Sequence, residues 1–297
     1  MTSKQPELTP IVEIAPKYVS ESYRIWHAFI KHKPAVISAV VLFTIILAVL
    51  FAPVIAPYKF DSIDLRNTKQ PPSLIHMMGT DDLGRDLFTR ILFGGRISMS
   101  IGVFAALVGT ILGSIIGAAA GYYGGSVDNI LMRFTDVAFS IPSLPLLIIL
   151  GSFTKSAVPA MILIIGLLSW MPTARVVRSA VLVLRDQEYV VAARMLGASD
   201  FQIVFKHILL NTIGPIIVGA TLGVGSAIIT ESSLSFLGLG VTPPTPTWGN
   251  MLQAAQSTMT TKPWLTIFPG MMILIVVLCI NFLGDGIQDS FDPTLRN

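Results

Sequence analysis

The chain has 297 residues, of which 53% are hydrophobic and only 12% charged, where a soluble domain carries about 25% charged side chains. That apolar content excludes a disordered chain, and a single cysteine, Cys279, excludes a disulfide scaffold. A net charge of +3 carried by so few ionised groups reads as loop bias at a membrane, not as a nucleic-acid footprint.

Charged residues bracket apolar intervals long enough for spans of about 20 residues. The first interval, Lys33 to Lys59, holds the nearly pure aliphatic run Ala35–Phe51. A cleaved signal peptide is the rival reading, but residues 1–34 precede the run and it is longer than a signal's apolar region. The next intervals are Arg96 to Asp128, Asp136 to Lys155, Lys155 to Arg175, His207 to Glu231 and Lys262 to Asp285. Six spans are predicted. The third contains Pro142 and Pro145, and it forms a tight hairpin with the fourth. Lys31 and Lys33 opposing Lys59 alone place the N-terminus inside, so that six spans leave both termini cytoplasmic.

Within the second span, Gly109, Gly113, Gly117 and Gly121 recur every four residues, and Gly219 and Gly223 repeat that spacing in the fifth. Such faces let backbones approach closely in lipid, either within the chain or between subunits. No span carries an acid or base near its middle, which argues against a proton relay. Glu231 is read at a span end, in a helix-terminal or loop role. The chain has no Gly-Lys pair and hence no Walker A loop, no H-E-x-x-H and no G-x-S-x-G, and its four histidines are scattered. An enzyme, a metal site and a cofactor site in this chain are therefore not expected.

The cytoplasmic segment from Arg175 to Lys206 reads as two helices meeting at an elbow. Asp186 is placed as the cap of a helix through Leu196, Gly197 as its left-handed terminator, and Ser199 with Gln202 as a capping box. The exposed side is expected to present Val190, Val191, Ala192, Ala193, Met195 and Leu196 with Arg194. Such a surface suits either a groove on a partner or the lipid interface. On the other side of the membrane, Asp81 is a candidate cap, and Gly84 to Arg96 a surface amphipathic helix leading into the second span. That helix either lies at the interface or receives a substrate-delivering protein. Gly238, Gly240, Pro243, Pro244 and Pro246 predict a shaped external loop, either a gate or a cap over the bundle.

Val191-Ala192-Ala193, three residues, then Gly197 resembles the E-A-A-x3-G-x9-I-x-L-P loop of integral subunits of ATP-binding-cassette importers. Val191 stands for the Glu, His207 falls at the Ile position and Leu210 replaces the Pro, while Ala192, Ala193, Gly197 and Leu209 match. Gly79–Ser98 (GTDDLGRDLFTRILFGGRIS), Thr230–Leu252 (TESSLSFLGLGVTPPTPTWGNML) and Asn281–Arg296 (NFLGDGIQDSFDPTLR) are similar to segments of dipeptide and oligopeptide permeases of the "C" type, in the peptide/nickel branch.

The resemblance implies an all-α integral membrane protein with six transmembrane helices in the type I ABC importer (MetI-like) permease fold. Residues 1–34 would form a cytoplasmic segment, 35–57 the first transmembrane helix, and 58–96 an external segment with its amphipathic helix. Residues 97–285 would form a five-helix core including the coupling loop 175–207, and 286–297 a cytoplasmic tail. It implies a multi-pass protein of the cytoplasmic (inner) membrane working in lipid with a homologous second permease, two ATPases that bind ATP and Mg, an extracytoplasmic solute-binding protein and a peptide substrate. Glu188, Val191, Ala192, Ala193, Arg194, Gly197, Ala198 and Ser199 would couple to the ATPase. Asp81, Asp82, Arg85, Asp86, Glu231 and Trp248 are candidates for external docking or gating. Nickel or another small solute remains open as cargo. Outside this class, a passive channel, a secondary transporter or a membrane scaffold remains open.

Overall fold

The computed structural model describes residues 21–153 and 157–291. The turn proposed around Lys155, the first 20 residues and the last six of the tail lie outside the described residues. Helix α1 (Glu21–Lys31) is separated from α2 (Lys33–Leu50) only by His32, whose Nδ1 accepts the Ala35 amide at 3.1 Å. Pro34 follows in the first turn of α2, where its missing N–H costs nothing. A short α3 (Ala52–Ile55) then hands the chain to an irregular shelf, residues 56–86.

Helix α4 (Leu87–Tyr123) runs uninterrupted for 37 residues. At 1.5 Å per residue it is about 55 Å long, well beyond the ~30 Å hydrocarbon core. Gly124, at φ 63°, ends it. Two pairs of broken helices follow. Helices α5 (Gly125–Ser140) and α6 (Ser143–Phe153) bend by 81°, α7 (Val158–Leu167) and α8 (Trp170–Leu184) by 44°. Pro142 sits in the first break and Pro172 just beyond the second, where each withdraws a backbone donor. Counted as single spans, the pairs bring the four long apolar helices to six.

The elbow comprises α9 (Glu188–Met195) and α10 (Asp200–Gln202). A π turn (Ile203–Ile208) and a 3-10 turn (Leu209–Thr212) lead into α11 (Ile213–Phe236). Pro215 cannot donate to the residue-211 carbonyl, which accounts for an irregular start. After a loop over residues 237–247 come α12 (Trp248–Ala255) and α13 (Trp264–Phe291). Helix α13 passes the expected boundary at residue 285. Gly286 admits Ala35 of α2 against its backbone, and His32 pairs with Asp289 at 3.7 Å, so the last turns stay docked.

Helix α4 is the axis of the bundle, and its most extensive contact is with α8. The glycine stripe explains that contact. A Cβ at Gly113 would lie 2.6 Å from the Trp170 carbonyl oxygen, and one at Gly121 would lie 2.8 Å from Val181 Cβ. Gly109 and Gly117 face Ser169 and Ala174 in the same way. The stripe packs within the chain.

Candidate functional site

Three regions carry the functional possibilities: a cavity between helices, the elbow at one end of α4, and the shelf at the other.

The cavity has a volume of about 580 Å³ and is lined in part by the break between α5 and α6. Phe139 and Pro142 line it from the break, Thr173 from α8, and Gly223, Ser226 and Thr230 from α11. Gly219 and Gly223 were expected to pack helices. Instead they border the cavity, with nothing closer to a Cβ than Thr173 Oγ1 at 3.9 Å and Ala106 Cβ at 3.5 Å respectively. Among the described residues, no Asp, Glu, Lys, Arg or His lines the cavity, and the polar side chains there are serine and threonine hydroxyls. Thr230 Oγ1 already donates to the Ser226 carbonyl. The surface is apolar with acceptors to spare, and it has no fixed charge for a charged solute to neutralise.

The elbow has the expected helix–glycine–helix form. Gly197 takes φ 83°, its amide donates to the Arg194 carbonyl, and the Ala198 amide donates to that of Ala193. That pair of bonds is a Schellman termination, which requires the left-handed residue. Among the described residues, no atom lies within 4 Å of a Cβ placed on Gly197, so the requirement is one of backbone conformation. Ser199 and Gln202 form the reciprocal capping box at 3.1 and 3.3 Å. The cap of α9 is Gln187 and not Asp186, whose carboxylate turns to Arg185 at 3.5 Å.

Met195 and Leu196, 85% and 89% exposed, form the elbow's tip. Glu188, Val191, Ala192, Arg194 and Ser199 are also exposed, and Ala193 and Ala198 are half-buried. Phe201 and Phe205, whose rings are tilted by 34° with centroids 4.3 Å apart, extend the apolar surface. Val190 departs from the expectation of exposure. It is fully buried with Ile203 and Ile208 against Val177 and Val181 of α8, because it lies on the inward face of so short a helix.

Polar contacts fasten the elbow to the bundle. Tyr122 Oη donates to Asp200 Oδ1 at 2.6 Å, and Arg185 Nη1 donates to the Gly121 carbonyl at 2.9 Å. Beside the elbow, Arg178 of α8 ties in α5 by holding both oxygens of Asp128, each at 2.5 Å. Sequence reasoning gives none of Tyr122, Asp128 or Asp200 a functional role: Asp128 only bounds a span, and Tyr122 reads as part of a flexible turn over residues 121–125 but lies in the last turn of α4. The signal available was a tyrosine and charges just beyond a span end.

At the opposite end, the surface amphipathic helix expected over Gly84–Arg96 is instead the buried first turns of α4. Leu87, Thr89, Arg90, Ile91, Leu92, Gly94 and Gly95 are all covered. Asp86, and not Asp81, is the cap, accepting the Thr89 amide at 2.8 Å while pairing with His76 at 2.9 Å. Asp81 organises the preceding turn. It accepts from the Leu83 and Arg85 amides at 2.9 and 3.0 Å and pairs with Arg85 at 2.7 Å and Arg90 at 3.3 Å. Arg90 donates to the Phe60 carbonyl at 3.0 Å, tying the shelf to α4. Of these acids only Asp82, paired with Lys69 at 3.1 Å, reaches the surface substantially.

Glu231 and Trp248 were candidates for docking or gating at the outside, and both are fully buried. Glu231 accepts from Ser235 at 2.7 Å and Ser98 at 3.0 Å, and Ser98 in turn accepts the Trp248 amide at 3.2 Å. The Trp248 indole donates to the Ile91 carbonyl at 3.0 Å. These residues knit α4, α11 and α12 together and offer no contact surface.

Comparison with known proteins adds the following. Residues 109–297 match the family described as "Binding-protein-dependent transport system inner membrane component". Residues 20–72 match the "N-terminal TM domain of oligopeptide transport permease C". The oligopeptide transport system permease protein OppC of Bacillus subtilis is 40% identical, over 95% of this chain and 94% of its own. The glutathione transport system permease protein GsiD of Pectobacterium atrosepticum is also 40% identical, over 92% and 91%. The dipeptide transport system permease protein DppC of Alkalihalophilus pseudofirmus is 38% identical, over 90% and 88%. Among solved structures, an inward-facing MetNI methionine ABC transporter chain superposes with a TM-score of 0.56 at 16% identity, covering 68% of this chain and 97% of that one. That likeness concerns the fold.

Proposed function

The chain belongs to the family of inner-membrane components of binding-protein-dependent transport systems, and from that premise we propose that it is one permease subunit of an ATP-driven importer of di- or oligopeptides. The observation that carries this reading is the elbow, a rigidly capped helix pair that projects an uncovered apolar tip, Met195 and Leu196. A partner groove receiving that tip would move the elbow as the partner changes shape. Glu188, Val191, Ala192, Ala193, Arg194, Gly197, Ala198 and Ser199 form or border the docking face.

In this reading two ATPase subunits bind ATP and Mg beneath the membrane, and both termini of the chain are cytoplasmic. A homologous permease completes the pathway against the cavity between α5, α8 and α11. Alternating access follows when the ATPases close and the elbow shifts the bundle between two arrangements. The cavity supports a peptide cargo. Hydroxyls satisfy backbone amides without regard to side chain, and a charge-free wall neither traps nor repels ionised residues. Selection then rests with the solute-binding protein outside.

The test is reconstitution of the chain with its second permease, ATPases and binding protein in liposomes, followed by uptake of labelled peptide. Uptake that requires ATP and the binding protein is expected. Equal uptake by the permeases alone would establish a channel or secondary transporter and overturn the proposal.

A further inference from the structure

Helix α4 is bonded at both ends to the parts that must communicate. At its outer end Ser98 meets Glu231, the Ile91 carbonyl accepts the Trp248 indole, and Arg90 holds the shelf. At its inner end Tyr122, in the last turn, donates to Asp200, the first residue of α10. Most of the elbow's attachment is otherwise apolar: Val190, Ile203 and Ile208 against Ala118, Val177 and Val181. Apolar packing has no direction, so a push on the tip is free to slide the elbow across that surface. A 2.6 Å hydrogen bond does have direction.

Both partners of that bond are held. The Tyr122 ring is buried, meets Tyr123 edge-on with centroids 5.2 Å apart, and carries the Arg194 guanidinium carbon 5.7 Å from its centroid. Asp200 sits inside the capping box, between Ser199 and Gln202. Arg194 belongs to α9 and Asp200 to α10, so one phenol touches both arms of the elbow across the Gly197 turn.

We propose that Tyr122 is the positioning residue that passes displacement of the elbow into α4, its hydroxyl pinning the α10 arm and its ring seating the α9 arm. This rests on the importer reading above, and deepens it by naming the joint. Tyr122→Phe keeps the ring and removes the hydroxyl, with its bond to Asp200 and its contact with Arg194. In the reconstituted complex this variant should assemble normally and keep its basal ATPase rate. Peptide delivered per ATP hydrolysed should fall about fivefold or more, and stimulation by the loaded binding protein should fall with it. Asp200→Asn, which retains an acceptor for the phenol, should recover most of the coupling that Asp200→Ala loses.

A merely structural bond would lower assembly, ATPase and uptake together and leave the ratio unchanged. That result, or a wild-type ratio in Tyr122→Phe, overturns the joint. Absence of ATP-dependent uptake in the wild-type complex overturns the importer reading instead, so the two failures are distinguishable.

Discussion

The two ends of α4 solve opposite problems. At the shelf end, charge is taken inside. Arg90 is 4% exposed and Glu231 0%, and each is enclosed by partners from segments distant in sequence. At the elbow end, charge stays near solvent, as in Arg178–Asp128, while large apolar side chains are left uncovered at Met195, Leu196 and Phe201. Burying a carboxylate without its hydrogen bonds is costly, so the shelf end is a closed unit that holds its shape unaided. An exposed apolar tip on a capped elbow gains nothing for the isolated chain, and its use lies in contact with something else. The chain thus finishes one end by itself and leaves the other to be completed.

Substitutions can break this contrast in graded fashion. The largest loss should come from the axis that both ends share. Gly113→Leu forces a side chain onto the Trp170 carbonyl, and overpacking of this kind should cost about 3 kcal/mol. Thermal unfolding in detergent would report it, and an unchanged midpoint would mean that α4 and α8 are not locked. Next is the shelf-end network. Glu231→Ala strands the hydroxyls of Ser98 and Ser235, at about 1–3 kcal/mol. Glu231→Gln should lose less, because one acceptor remains.

Arg178→Ala removes a part-exposed ion pair at the elbow end. The loss there should be only about 1 kcal/mol, shrinking as salt rises. Equal losses for the Glu231 and Arg178 variants in high salt would erase the distinction between the ends. Leu196→Ser, at the tip, should change stability least, within about 0.5 kcal/mol. The same variant should nevertheless lose co-purification with the ATPases, and retained assembly would show that the exposed tip is not the docking point.

The local devices of the elbow were legible because their cause is local. Gly197 needs a left-handed backbone, and Ser199 and Gln202 satisfy each other across three residues. The four-residue spacing of Gly109, Gly113, Gly117 and Gly121 was legible for the same reason, since one helix face determines it. The shelf end was not. Glu231 looked like a span-end charge because its partner Ser98 lies 133 residues away, and Arg90 looked amphipathic because the covering Phe60 segment has no pattern of its own. Asp186 has the propensity of a helix cap, yet Gln187 occupies that position, a shift of one residue that propensity alone does not resolve. The cavity escaped notice because Gly219 and Gly223 have the spacing of packing glycines yet border open space.

The length of α4 has a mechanical consequence. Its 37 residues form one unbroken rod, and at 1.5 Å per residue a tilt of about 10° around its midpoint would carry each tip sideways by about 5 Å, in opposite senses. A lever of that reach needs no bending and no unfolding to reverse which side of the bundle is splayed. Its fulcrum, at Ala105, lies one turn before Gly109, where the glycine stripe and its close contact with α8 begin.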